Sequence, residues 1–193
     1  MIRKTICLII PVLFIFTGCA GTRQIDKASI IESVTVSFEN GEKEYTFYLI
    51  SDSEKVKSTS IKAKNLKNAC KIAKEKYIPN VVFDKINLLL FDENVYKDSL
   101  VNDIDYITKQ SDLSPLVKIS ISDTKIIEIM KKEKKLAEEV SYHIDNLNKK
   151  ENKVHIYAFS IFNRINAGKY RYLYITTINN NDEITANSLK ILI

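Results

Sequence analysis

The sequence predicts an α+β protein: a mixed β-sheet with an N-terminal hairpin and packed helices, followed by a linker helix and a small α/β C-terminal segment. Three observations carry that class. Val34, Val36 and Phe38 alternate with Thr35 and Ser37, and Tyr45, Phe47 and Leu49 resume the alternation beyond Asn40-Gly41. Period-two apolar patterning on both sides of Asn-Gly is a strong hairpin signal, because both turn residues tolerate positive φ. Ile86 to Phe91 forms an apolar run of strand length, as expected for a strand covered on both faces. Elsewhere apolar residues recur at three- and four-residue spacing, giving the order hairpin, helix, strand, helix, strand, helix, and so a sheet with helices packed on it.

Each later element has its own local reason. Ser51 to Ser60 is polar and reads as a loop or weak edge strand. A helix is predicted over Ala63 to Tyr77, with Leu66, Ala69, Cys70, Ala73 and Tyr77 on one face, and Pro79 ends it by disfavouring helix in the residue before it. Asp92 or Asn94 is positioned to cap a helix whose inward residues are Val95, Leu100, Ile104 and Ile107. Leu116 to Ile121 alternates as a short strand, and Ser122-Asp123 offers a cap for a helix from Thr124 with Ile126, Ile127 and Met130 inward. Lys131 to Asn152 is highly charged, with Leu136, Val140 and Leu147 keeping a helical period, and fits a linker helix. Ile156 to Ile165 reads as helix, and two strand-like runs, Tyr170 to Ile178 and Ile184 to Ile193, flank a turn at Asn179-Asn180-Asn181-Asp182.

The N-terminus is an export signal. Met1-Ile2-Arg3-Lys4 is basic, Thr5 to Phe16 is uncharged and largely apolar, and the run is too short to span a bilayer. Phe16-Thr17-Gly18-Cys19 resembles a bacterial lipobox, with Phe16 where Leu is usual; that likeness implies that the Cys19 thiol is diacylglycerylated, the lipid carrying fatty acids such as palmitate, and that Cys19 becomes the new N-terminus. Two acyl chains supply the two signals that stable anchoring needs. Removal of residues 1–18 leaves 175 residues and lowers the net charge from +5 to +3. That surplus, interspersed with Asp and Glu and without a basic stripe among aromatics, argues against nucleic acid as a partner. Cys7 leaves with the signal, so Cys70 remains as a single free thiol and no internal disulfide is expected.

A search for chemistry finds little. His143 and His155 stand on separate elements without the paired ligands of a zinc site, and neither a metal nor a cofactor is expected. Gly21, Gly41 and Gly168 build no phosphate loop, and neither a G-x-S-x-G elbow nor an S-x-x-K pair occurs. Asp98, Asp103 and Asp105 read as a solvated helix face, Cys70 as packing on an apolar one, and Lys131-Lys132-Glu133-Lys134-Lys135 as a solvated linker face. The chain is therefore expected to bind or scaffold and not to be an enzyme.

Four stretches resemble the Ger(x)C lipoproteins, the C subunits of spore germinant receptors in Gram-positive endospore formers. They are the lipobox with Thr22 to Ile30, Leu66 to Tyr77 with Asp84 to Phe91, Tyr96 to Ile107 with Leu116 to Met130, and Tyr157 to Ile178. Ala20 stands where the family commonly has Trp, and Val34-Thr35-Val36-Ser37 where it has Gly-Ile-Asp. The resemblance implies an extracytoplasmic protein, lipid-anchored to the outer face of the cytoplasmic membrane (the spore inner membrane in the family). It implies action by protein–protein contact in germination beside integral membrane subunits of A and B type, with Cys19 as the lipid attachment residue. The expected division is a signal peptide over 1–18, a tether over 19–29, an N-terminal α+β domain over 30–131, a charged linker helix over 132–153 and a partial second domain over 154–193, a shortened form lacking a third domain. The alternative is a generic lipid-anchored binding module for a small molecule or cell-wall component.

Overall fold

The computed structural model describes residues 28–51, 55–133, 135–152, 154–168, 172–181 and 183–192. Cys19 and the expected signal peptide lie outside these residues.

The hairpin forms as the alternation predicts. Strands β1 (Ser29–Glu39) and β2 (Glu42–Leu49) pair antiparallel, Val34 opposite Phe47 and Val36 opposite Tyr45. Asn40 and Gly41 take φ of 53° and 79°, the left-handed pair that a two-residue turn of the right twist demands. The polar stretch after β2 yields a true edge strand, β3 (Lys57–Lys62), antiparallel to β2. Helix α1 (Leu66–Ile72) is capped by the Asn65 side chain, which accepts from the Asn68 amide, and runs into a π-helical turn over Ala73–Tyr77 before Pro79. The wider turn rotates Tyr77 off the expected inner face, and its ring is exposed. A two-residue strand β4 (Val81–Val82) pairs with the start of β1.

The apolar run becomes β5 (Leu88–Asp92), every residue buried. Helix α2 (Tyr96–Lys109) follows, then β6 (Lys118–Ser122) and α3 (Thr124–Met130), whose cap is Asp123 accepting from the Ile126 amide. The cap expected of Asp92 or Asn94 does not form: Val95 occupies that position without a side-chain bond, and Asp92 instead accepts from the Asn94 amide to shape the turn. Helix α4 (Leu136–Lys150) and α5 (Ala158–Asn166) precede a second hairpin, β7 (Tyr172–Asn181) and β8 (Glu183–Leu192). The turn expected at 179–182 is narrower than its sequence suggests. Asn179 and Asn180 pair with Thr185 and Ile184 within the ladder, so pairing overrides the turn propensity of asparagine.

The sheet order is β3-β2-β1-β5-β6-β7-β8, with β4 beside β1. β1, β5, β6 and β7 run parallel, and an antiparallel hairpin extends the sheet on each side. The fold is thus α+β with a mixed sheet, as predicted. Residues from 154 onward continue the same sheet, since β7 pairs with β6 in register Ser120 to Thr176.

Both faces are covered. Leu89, Phe91, Ile119 and Ile121 pack with Leu66, Ile104 and Ile161 of α1, α2 and α5. Leu88 and Leu90 pack with Ile126, Ile127, Val140 and Ile144 of α3 and α4. Helix α4, read as a linker from its charge, therefore buries a full apolar stripe on the sheet. The two rims then differ by construction. The upper rim holds the C-terminal ends of the parallel strands and the Asn40-Gly41 turn, and the lower rim holds their N-terminal ends, where β1 begins at Ser29.

Candidate functional site

In open sheets with parallel strands, polar ligand groups gather beyond the carboxyl ends of the strands. Here the upper rim carries a polar network built on Asp92 and Asp123. Asp92, at the end of β5, accepts from the Asn94 amide and side-chain Nδ2, each at 2.8 Å, through Oδ1, and from the Thr124 hydroxyl at 2.7 Å through Oδ2. Asp123, one residue past β6, accepts from the Ile126 amide at 2.9 Å through Oδ1 and from the Asn180 amide at 3.1 Å through Oδ2. The two carboxylates stitch β5, β6 and β7 to α3. Each of the four oxygens accepts at least one internal hydrogen bond, which makes the rim a fixed surface.

A second constellation lies on the α3 side of the hairpin. Glu44 is buried on β2 and its Oε1 accepts from Lys131 Nζ at 2.9 Å, at the end of α3. Burial opposes its charge, but hydrogen bonds to Glu39 and Lys131 outweigh that and hold Glu44 below the usual carboxylate range. Its bond with Glu44, and then repulsion by that charge, push the exposed Glu39 up. Lys131 thus leaves the solvated basic run expected of it and ties α3 to the hairpin.

Asp103 is the residue that reading helix polarity misses. It is fully buried on α2, where its Oδ2 accepts from the Tyr45 hydroxyl at 2.8 Å and its Oδ1 from the Leu66 amide at 2.9 Å. Burial raises it to about 6, against the opposing Leu66 and Tyr45 bonds. The expected solvated face holds for its neighbours: Asp98 is exposed and Asp105 pairs with Lys109 one helical turn on. The signal was in the spacing, because position 103 is three after Leu100 and four before Ile107, on the apolar stripe itself.

The remaining titratable groups are not brought together. Cys70 is buried with its thiol pushed up to about 12, by burial first and then by the charge of Asp112, so it is a packing residue. His155 is half-buried, and burial followed by the charge of Arg164 lowers its pKa. His143 sits edge-on to Tyr142 on α4. No group of three or more His, Cys, Asp or Glu among the described residues is placed to hold a metal ion. No helix among them is long and apolar enough to cross a membrane.

A family model described as the spore germination protein N-terminal domain matches residues 21–178. The chain belongs to this spore germination family. The match runs from before β1 well into β7, through both helical layers and the whole parallel core. It places the chain among germinant-receptor-like proteins, a family of receptor subunits not known as enzymes and suggestive of membrane association. No curated protein and no solved structure matches the chain.

Proposed function

We propose that this chain is a lipoprotein held by an acylated Cys19 on the outer face of the cytoplasmic membrane, where it acts by protein contact as the C-type subunit of a nutrient-germinant receptor beside A- and B-type integral membrane subunits. The observation that carries this reading is the family match over residues 21–178. The site geometry supports a contact role over catalysis: the thiol of Cys70 is buried and the carboxylates of Asp92, Asp103 and Asp123 are engaged by internal donors. The test is palmitate labelling with fractionation. Wild-type chain takes up label and sediments with membranes, and Cys19→Ala does neither; equal labelling of the two would defeat the anchor.

The alternative of a small-molecule binding module has one observation behind it. An open depression of about 520 Å³ is lined by Lys74, Asn80, Phe83 and Asp112, with the Lys74 ammonium 5.3 Å from the centre of the Phe83 ring. A thermal-shift screen distinguishes the readings, since a ligand of the folded state stabilises by RT ln(1 + [L]/Kd).

A further inference from the structure

Exposed apolar side chains are distributed unevenly between the two rims. Nine large ones are exposed among the described residues, and six of them belong to the lower rim: Ile50, Tyr77, Leu116, Phe159, Tyr172 and Leu192. Their placement follows from register. The Ile50 amide donates to Ile30 at the start of β1, and Tyr172 faces Leu192 at the open end of the second hairpin. The amides of Ala158 and Phe159 donate to Val117 and Pro115 just before β6, beside Leu116. Tyr77 ends the helix that descends to Asn80, whose carbonyl accepts from Ser29. The upper rim exposes one such side chain, Phe38, amid the polar network and the charged turn.

Three further facts say what covers this rim. The chain enters the sheet there, at Ser29, ten positions after Cys19. Fully extended, those ten steps reach about 35 Å, so a lipid on Cys19 holds the Ser29 end of β1 within that distance of the bilayer. Two exposed lysines, Lys57 at the start of β3 and Lys190 beside the end of β8, stand at the outer strands without an ion-pair partner among the described residues. Lys190 Nζ lies 3.7 Å from the centre of the Tyr172 ring. Tyrosines with apolar bodies and polar tips, flanked by lysines on aliphatic stems, are the composition of a membrane–water interface.

We infer that the lower rim is a membrane-seating edge: Ile50, Leu116, Phe159, Tyr172 and Leu192 rest in the headgroup region of an anionic bilayer, and the parallel strands point away from it. The inference rests on the Cys19 anchor for its geometry. It assigns the upper rim, with Asp92, Asp123 and Thr124, as the face held outward for protein partners.

The chain contains no tryptophan, so one introduced residue reports its own surroundings. The protein is purified from the membranes of a Gram-positive host and reconstituted in phosphatidylcholine–phosphatidylglycerol vesicles with brominated acyl chains. Tryptophan fluorescence in Tyr172→Trp and Leu192→Trp is expected to be quenched about threefold or more over that in Phe38→Trp. Equal quenching at both rims, or quenching confined to Phe38→Trp, overturns the inference. So does a lower-rim reporter shielded from lipid by a copurifying protein. Failure of the anchor is read separately, as absence of wild-type chain from the membrane fraction. In that case the soluble chain is added to the same vesicles, and the rim stands or falls on the same comparison.

Discussion

Asp103 makes the sharpest physical prediction. The carboxyl is fully buried and its pKa is raised from 3.8 to about 6, by burial above all. A carboxyl with a higher pKa folded than unfolded binds its proton more tightly in the folded state. Its charged form therefore costs stability above pH 6, and the cost is relieved as pH falls from 6 towards 3.8. The full difference is about 3 kcal/mol at 1.36 kcal/mol per unit, and about 1.3 kcal/mol of it falls between pH 7 and pH 5. Asp103→Asn has nearly the same shape, retains an acceptor for the Leu66 amide and does not titrate. Urea unfolding of both proteins at pH 7 and pH 5 isolates this group, because every other carboxyl is common to the two. The wild type should gain about 1.3 kcal/mol more than the variant on going to pH 5. Parallel pH dependence in the two proteins, to within a few tenths of a kcal/mol, would refute the reasoning. Asp103→Ala, which strands the Leu66 amide and Tyr45 hydroxyl, should cost about 2–5 kcal/mol at either pH.

Three further predictions test other parts of the account. Leu90→Ala empties a fully buried site on the central strand β5 and should lower stability by about 3 kcal/mol in urea unfolding, with the slope unchanged. Asp123→Ala removes the α3 cap and the tie to the Asn180 amide, which should cost about 1–2 kcal/mol and speed hydrogen exchange at Ile126 and Asn180; protection unchanged at both would contradict the assigned bonds. Cys70, buried with its thiol pushed up to about 12, should resist alkylation at pH 8 in peptide-mapped mass spectrometry and react fully in denaturant. Ready modification of the folded protein would place it in an accessible site.

Local patterning carries much of this fold. Asn40-Gly41 between two alternating runs placed the first hairpin, and Ile86 to Phe91 announced a strand covered on both faces, which forms over Leu88–Asp92. What local patterning lacks is long-range pairing. Nothing near Asn180 signals that its amide bonds Asp123, more than fifty residues earlier, at the end of the ladder. In α4 the helical period of Leu136, Val140 and Leu147 was legible, but the surrounding lysines and glutamates concealed that these residues, with Ile144, form one stripe buried on the sheet. On β1 the small polar residues Ser33 and Thr35 suggest a wet face, yet both are buried, and Thr35 shares a hydrogen bond with the Tyr48 hydroxyl. At the upper rim, Asp123 was legible as a helix cap, whereas the bond from Thr124 to Asp92 depends on two strands becoming neighbours. Asp103 lay on a readable stripe and was obscured by its own polarity.

The central claim is that a membrane-held member of the germination family works in nutrient sensing by contact with other subunits. Nutrient-triggered germination measures it most directly, in spores lacking the gene and in spores complemented with wild type or with Cys19→Ala. The account predicts a slowed or lost response to at least one nutrient, restored by wild type and not by Cys19→Ala. Germination unchanged by deletion across a full nutrient panel would contradict it.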